Sequence, residues 1–264
     1  MRRFWTAVLA AAMVLALAGC GVRPAAKDEG KLQVVCTLFP YYDFVRQIGG
    51  EDVMPVLLIP AGRETHSFEP TPVDVITMSR ADVFIWNGGE SELWVEDVLD
   101  AAGEDIPYRL AMMDCVETYR EEYAEGMQGG HDHDHDHDHE GESEMEYDEH
   151  IWTSPVIAKD LLYVTRDAII QADPANAATY QKNADAYAAQ LDALNESFTD
   201  YFAEPEYRTL LFADKFPLQY FANTYGLHCY AAFSGCSSDT EPSIATISNL
   251  MHLVESDHLS KVYY

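Results

Sequence analysis

The chain has little positive charge. Its 264 residues include 16 Lys and Arg against 45 Asp and Glu, which gives a formal net charge of -29 at pH 7. Binding to DNA or RNA needs clustered Lys and Arg, so this composition excludes nucleic acids as natural partners and favours cations. The acids are also concentrated, because 15 of them lie between residues 114 and 149, where Arg120 is the one Lys or Arg.

The motifs of common hydrolases are missing. The sequence contains no His-Glu-x-x-His pair, no Gly-x-Ser-x-Gly nucleophile elbow and no phosphate-binding glycine loop. We therefore expect that the protein is not an enzyme. The alternative is a zinc hydrolase in which Glu64 or Glu149 acts as general base beside an open metal site.

Long apolar runs are scarce, and the clearest one, Ala7 to Ala18, is too short to span a bilayer comfortably. Its basic start and small-residue end predict a secretory signal over residues 1–19. The sequence Leu-Ala-Gly-Cys that closes it resembles the lipobox of bacterial lipoproteins. The resemblance implies that Cys20 is lipidated, that residues 20–31 form a tether, and that the protein is anchored outside the bacterial cell membrane. The alternative is a cleaved signal with an incidental Cys.

Cysteine is scarce too, at five residues. Four remain besides Cys20, namely Cys36, Cys115, Cys229 and Cys236. An exported protein meets oxidising surroundings, so this even number predicts two disulfides, for which three pairings exist. The pair Cys229 and Cys236 would close the shortest loop, but the pairing stays open, and metal-binding thiolates are the alternative.

One element stands out against these absences, a run over residues 131–139 in which His alternates with Asp. Its five imidazoles are His131, His133, His135, His137 and His139. Such a run cannot bury an apolar face, so we expect it to be solvated and mobile. Imidazole is a common transition-metal ligand, and imidazole with carboxylate suits Zn²⁺. The run therefore predicts zinc handling, with an acidic linker or a purification tag as alternatives.

Short apolar runs alternate with amphipathic stretches along the rest of the chain. This pattern predicts an α/β protein with two lobes of βαβ type and parallel sheets. The N-terminal lobe spans residues 32–172 and contains a disordered acidic loop over 118–149, far longer than an ordinary connection. The C-terminal lobe spans 204–264. It includes a strand over Thr209–Ala213, and it stops inside an apparent strand, so we expect a C-terminally truncated chain.

A long helix is predicted between the lobes, over residues 173–203. Asp173 can cap it, Pro174 suits its first turn, and apolar residues follow at alternating spacings of four and three. These are Tyr180, Ala184, Tyr187, Leu191, Leu194, Phe198 and Tyr201. A helix of roughly 28 residues within this range spans about 42 Å. It is interpreted as a rigid link between the lobes, with a coiled-coil arm as the alternative.

Two histidines outside the run lie where ligands usually bind in such folds. His66 follows the second predicted strand, and His150 immediately precedes a predicted helix. Ligands of open α/β sheets collect beyond the carboxyl ends of the strands, so these loops can converge although 84 positions separate the two residues. Taken alone, each could be an ordinary exposed or hydrogen-bonded histidine.

The motifs around these histidines resemble a known family. They are Gly-x-x-x-His-Ser-Phe-Glu-Pro-Thr-Pro around His66, Asp-Glu-His-Ile-Trp-Thr-Ser-Pro around His150, and Tyr-Phe-Ala-x-x-Tyr-Gly-Leu from Tyr220, with Glu-Pro-Ser over 241–243. Together with the long helix they resemble zinc- and manganese-binding solute-binding lipoproteins of bacterial ABC importers, in particular the zinc branch with a His-rich loop. The resemblance implies two α/β lobes joined by one rigid helix, and His66 and His150 as zinc ligands in the cleft.

The resemblance fails at the third ligand. The family usually has His or Glu at the position occupied here by Lys215, which cannot ligate while it is protonated. We therefore predict the adjacent Asp214 as third ligand, with a helix-capping role as the alternative. The family's fourth ligand, an acid, would fall beyond Tyr264.

The expected function is zinc capture in the cleft and delivery to an ABC permease with its ATPase, by a monomer. The run at 131–139 would collect zinc loosely as an accessory. The alternatives are manganese as cargo, because an oxygen-rich site would suit it, and a surface adhesin or zinc buffer without a transport partner.

Overall fold

The first lobe is built on a four-stranded parallel sheet. The computed structural model describes residues 30–63, 65–102, 106–121, 146–237 and 242–264. The strands are β1 (Leu32–Cys36), β2 (Val53–Leu57), β3 (Val83–Trp86) and β4 (Tyr108–Ala111), in the order β2-β1-β3-β4. The central strands β1 and β3 are mostly apolar on both faces and almost completely buried, as a parallel sheet covered by helices requires.

Helices cover both faces of this sheet. They are α1 (Phe39–Gly49), α2 (Pro72–Met78), α3 (Trp94–Ala102) and α4 (Pro155–Ala172). Helices α1 and α4 pack on the face that carries Val34, whereas α2 and α3 pack on the face that carries Val35. Thr71 caps the start of α2, because its hydroxyl accepts a hydrogen bond from the backbone N–H of Asp74.

A long helix, α5 (Ala177–Tyr201), connects the lobes. A short 3-10 turn precedes it, and there the Asp173 carboxylate accepts a hydrogen bond from the Tyr180 hydroxyl at 2.6 Å. Tyr180, like Ala184, is buried in the core of the first lobe. Near the other end of α5, the ring of Phe198 packs edge-on against Phe221 of the second lobe, with 4.9 Å between centroids. The 25 residues of α5 span about 38 Å, so the helix serves as a packing surface for both lobes.

The second lobe contains two parallel strands and two helices among its described residues. They are β5 (Thr209–Phe216), α6 (Gln219–Tyr225), β6 (His228–Ser234) and α7 (Ile244–Ser256). Tyr263 extends this sheet through a parallel bridge to Phe212. With the parallel sheets of both lobes and the long helix, the predicted α/β fold class is confirmed.

Strand β5 is longer than the sequence predicted. It continues past Ala213 to Phe216 because the residue before a proline, here Pro217, is biased towards extended backbone. The pairing of β5 with β6 shifts between Phe212 and Lys215. Asp214 therefore lies inside the strand at this irregularity and does not precede a helix.

The ends of the predicted long loop are paired with each other. Arg120 and Tyr147 form an antiparallel bridge, and the Glu121 N–H donates to the Glu146 carbonyl at 2.8 Å. The Tyr220 hydroxyl of α6 donates to the carbonyl of Asp148 at 2.8 Å. The base of the loop, residues 119–121 and 146–148, is thus a short ladder that contacts the second lobe.

The predicted disulfides are wrong for this structure, in which Cys36, Cys115, Cys229 and Cys236 are all free thiols. Cys229 and Cys236 lie near opposite ends of the extended strand β6, and five residues of a strand already span about 16 Å, whereas bridged Cα atoms are at most about 7 Å apart. Cys36 on β1 is separated from β4, which leads to Cys115, by the intervening strand β3.

None of the helices in the described part of the chain is long and apolar enough to cross a membrane. The predicted signal at 1–19 and the lipidation site Cys20 lie outside the described residues.

Candidate metal centre

The two predicted histidine ligands come together. His66 lies on the loop between β2 and α2, and His150 lies directly before the short 3-10 turn Ile151–Thr153 that leads into α4. Their ring centroids are 6.2 Å apart. Two imidazoles that share one tetrahedral zinc have centroids about 5 Å apart, so a small closure would allow both to bind one ion.

A buried carboxylate orients His150. Asp148 is 1% exposed, and its Oδ1 accepts hydrogen bonds from the backbone N–H of His150 at 2.7 Å and from ring Nδ1 at 2.9 Å. A carboxylate only accepts, so the ring proton resides on Nδ1 and the lone pair on Nε2 is left for a metal.

Glu149 is the next residue of the same segment, and its side chain is buried. The backbone N–H of Ser91 donates to Oε1 at 2.9 Å, and the Ser91 hydroxyl donates to Oε2. The Asn87 side chain donates to the Glu149 carbonyl at 3.0 Å. Gly89, at φ +85°, has no room for a side chain because a Cβ there would overlap the Glu149 carboxylate. The loop 87–91 therefore holds Glu149 in one position.

The side chain of Glu92 stabilises the loop 87–91 through hydrogen bonds to its backbone. Its Oε2 accepts from the backbone N–H groups of Asn87 at 2.7 Å and Gly88 at 3.0 Å. The side chain is 2% exposed, and this burial raises the pKa of Glu92 to about 7. The Tyr41 hydroxyl donates to the Asn87 side chain and braces the loop from α1.

One residue of the second lobe joins the site. Ligand atoms of His66, Glu149 and Cys236 all lie within 4.8 Å of one another. The backbone N–H of Cys236 donates to Glu121 Oε1 at 2.7 Å. Burial is the main cause that raises the pKa of the Cys236 thiol, and the nearby carboxylates of Glu121, Glu149 and Asp148 raise it further.

The structure does not bring Asp214 to this group. Asp214 is exposed at the register shift of β5, and its Oδ1 accepts a hydrogen bond from the backbone N–H of Lys215 at 2.8 Å. Its predicted role as third ligand is not supported by this placement. The five histidines of the run, His131 to His139, lie outside the described residues.

The sequence did not point to Glu149 or to Cys236 in particular as a member of this site. Glu149 was considered only as the base of a hydrolase, and Cys236 as half of a disulfide, with a metal-binding thiolate as the alternative for all four cysteines. A signal existed for Cys236, because it follows the carboxyl end of β6, the edge of a parallel sheet where ligand-binding loops lie.

Comparisons with known proteins agree with this architecture. The zinc-binding lipoprotein AdcA of Streptococcus pneumoniae is 32% identical over 97% of this chain and 49% of its own length, so the chain spans about half of that relative. The high-affinity zinc uptake system protein ZnuA of Bacillus subtilis is 32% identical over 96% of this chain and 78% of its own length.

Solved structures show the same fold. The Zn(II)-bound ZnuA-like domain of S. pneumoniae AdcA superposes with a TM-score of 0.69 at 28% identity, covering 89% of this chain and 78% of that one. The metal-dependent lipoprotein YcdH of B. subtilis superposes with a TM-score of 0.71 at 27% identity, covering 88% and 78%. Residues 34–264 match the family model described as zinc-uptake complex component A, periplasmic. The chain therefore belongs to the ZnuA family.

Proposed function

We propose that this chain captures zinc outside the cytoplasm and delivers it to an ABC permease with its ATPase. The observation that carries the proposal is the convergence of His66 and His150, with ring centroids 6.2 Å apart, from loops 84 positions apart. The relatives at 32% identity are named for zinc binding and zinc uptake. Lipidation of Cys20 would keep the protein at the membrane surface, next to the permease.

The donor chemistry supports zinc as the cargo. Two neutral imidazoles and the carboxylate of Glu149 are typical zinc ligands. The hydrogen bond from His150 Nδ1 to Asp148 sets the ring orientation before the ion arrives, and the bonds from Ser91 do the same for Glu149. Because these two side chains are already held in place, they lose little conformational entropy when the ion binds. This favours high affinity at low zinc concentrations.

The His-rich run is proposed as an accessory collector. The ladder at the base of its loop includes Tyr147, and His150 follows three residues later, so the loop leaves the fold beside the metal centre. Five clustered imidazoles there would raise the local concentration of zinc at the opening of the cleft.

A transport role fits the site better than hydrolysis does. A general base needs a carboxylate that is free to take a proton from water. Both oxygens of Glu149 instead accept hydrogen bonds from Ser91, which leaves the carboxylate suited to holding an ion in place.

Calorimetric titration with zinc tests the proposal. Replacing His66 or His150 by Ala should weaken binding at least about 100-fold, because each change removes a direct ligand. His252→Ala, at an exposed position on α7, is the matched control and should leave the affinity unchanged. Tight binding that survives the loss of both His66 and His150 would contradict the assignment.

A further inference from the structure

The second lobe presents the end of β6 to the metal centre. Gly235 follows this strand and packs against His150, since a Cβ on Gly235 would lie 3.2 Å from Cε1 and from Nδ1 of that ring and 2.9 Å from the carbonyl oxygen of Phe216. A side chain does not fit at this position. The close approach of the backbone here brings the next residue, Cys236, over the site.

The Cys236 sulfur lies almost at ligand distance. It is within 4.8 Å of ligand atoms of both His66 and Glu149. Ligand atoms that share a tetrahedral zinc are about 3.3–3.8 Å apart, so a closure of roughly 1 Å would place all three on one ion. The hydrogen bond from the Cys236 N–H to Glu121 ties this turn to the base of the long loop.

We infer that Cys236 is a thiolate ligand of the transported zinc and replaces the second-lobe ligand that Lys215 cannot supply. On binding, the S–H bond breaks, a sulfur–zinc bond forms, and the proton leaves to solvent. The inference rests on the proposed function, and it favours zinc over manganese as the transported ion. A thiolate is a soft donor that suits zinc, whereas manganese prefers carboxylate, carbonyl and water oxygens.

The same strand offers a matched control. Cys229 lies in β6 seven positions earlier and is buried in an apolar cluster with Phe216, Ala222 and Ala231. It is a free thiol of the same chain but is not among the residues grouped at the metal centre. Changing Cys229 to Ser therefore tests for general effects of removing a cysteine from β6 or from the turn that follows it.

Titration of the reduced full chain with Co²⁺ tests the inference directly. A cobalt–thiolate bond produces a charge-transfer absorption in the near ultraviolet that nitrogen and oxygen ligands do not produce. We expect this absorption in the unchanged protein and in Cys229→Ser, and its loss in Cys236→Ser. Zinc affinity should fall at least about 100-fold in Cys236→Ser, whereas manganese affinity should change less than about threefold.

The outcomes separate this inference from the proposed function. If zinc binding depends on His66 and His150 but Cys236→Ser keeps the zinc affinity, or the unchanged protein lacks the charge-transfer band, the thiolate is refuted and the zinc-binding function stands. If His66→Ala and His150→Ala leave zinc binding intact, the proposed function itself fails.

Circular dichroism of Cys236→Ser tests whether this variant is folded. Cys236→Asp, which replaces sulfur by a carboxylate oxygen, should bind Co²⁺ without the band and gain affinity for manganese relative to zinc.

Discussion

The Nδ1 atom of His150 lies 2.9 Å from Oδ1 of Asp148, and Asp148 is almost completely buried. The aspartate thus fixes the orientation of an imidazole that we propose as a zinc ligand. Asp148→Asn should reduce zinc affinity about 10- to 100-fold, because an amide can donate to Nδ1 and so favour the wrong tautomer. Calorimetry measures this. Glu146→Gln, an exposed acid two residues earlier, should have no such effect, and equal affinities for both variants would contradict the role of Asp148.

Gly89 and Gly62 form a second matched pair. Both have positive φ, at +85° and +81°, but a Cβ would overlap Glu149 at Gly89, whereas nothing lies within 4 Å of one at Gly62. Gly62→Ala should cost about 1–2 kcal/mol of unfolding free energy from backbone strain alone. Gly89→Ala should cost more and should also weaken zinc binding by displacing the carboxylate. Urea unfolding and calorimetry test both effects, and identical losses in the two variants would show that the close contact has no consequence.

Burial of the Glu92 carboxyl group should make the stability of the protein depend on pH. Its pKa is raised from 4.5 to about 7 in the folded protein, so the folded state binds more protons than the unfolded state between these values. Stability contributed by the protonated form is therefore lost as pH rises through this window, by up to about 3 kcal/mol. Glu92→Gln keeps an oxygen that accepts from Asn87 and Gly88 without acquiring charge. The variant should be more stable than the unchanged protein at pH 8 and should match it near pH 4. A constant difference across the range would rule out this titration.

We expect Cys36, Cys115, Cys229 and Cys236 to be reduced thiols that differ in their reactivity. Non-reducing mass spectrometry of the protein should find no disulfide among them. In the native protein, Cys36 and Cys229 are buried and should resist alkylation until unfolding, whereas Cys115 and Cys236 are partly exposed and should react. Zinc should protect Cys236 and leave the rate at Cys115 unchanged. Equal protection of both thiols would indicate a general tightening of the fold and not a bond to the metal.

Deleting residues 131–139 should separate collection from tight binding. The stoichiometry of weakly bound zinc should fall, while the affinity of the tight site should stay within about twofold, because the proposed ligands are all outside the deletion. Calorimetry at low and high zinc distinguishes the two classes of site. Loss of tight binding would mean that the run contributes a direct ligand.

Much of the fold follows from local patterns in the sequence. Some features depend only on residues that are close in sequence, so the order of apolar and polar residues is enough to predict them. They are the apolar run of β1, the Thr71–Pro72 start of α2 and the apolar stripe on α5. The convergence of His66 and His150 was also predictable, because parallel strands direct their following loops to one edge of the sheet.

The third ligand was not predictable in this way. Asp214 was placed before a helix, but β5 continues past it and its pairing shifts between Phe212 and Lys215. Successive side chains of a strand point to opposite faces, so a shift of one residue decides whether a side chain meets the site or the solvent. No local pattern reveals such a shift.

The sequence by itself determined the chemistry of this protein: an acidic chain, a histidine run, and two histidines on loops at one sheet edge. Only the tertiary structure decided which other side chains join them. Glu149 is held by Ser91, 58 positions away, and Cys236 approaches His66 from the other lobe. These contacts depend on how the two lobes pack along one helix. Such packing is determined by all the buried surfaces of the protein together, so no single stretch of sequence predicts it.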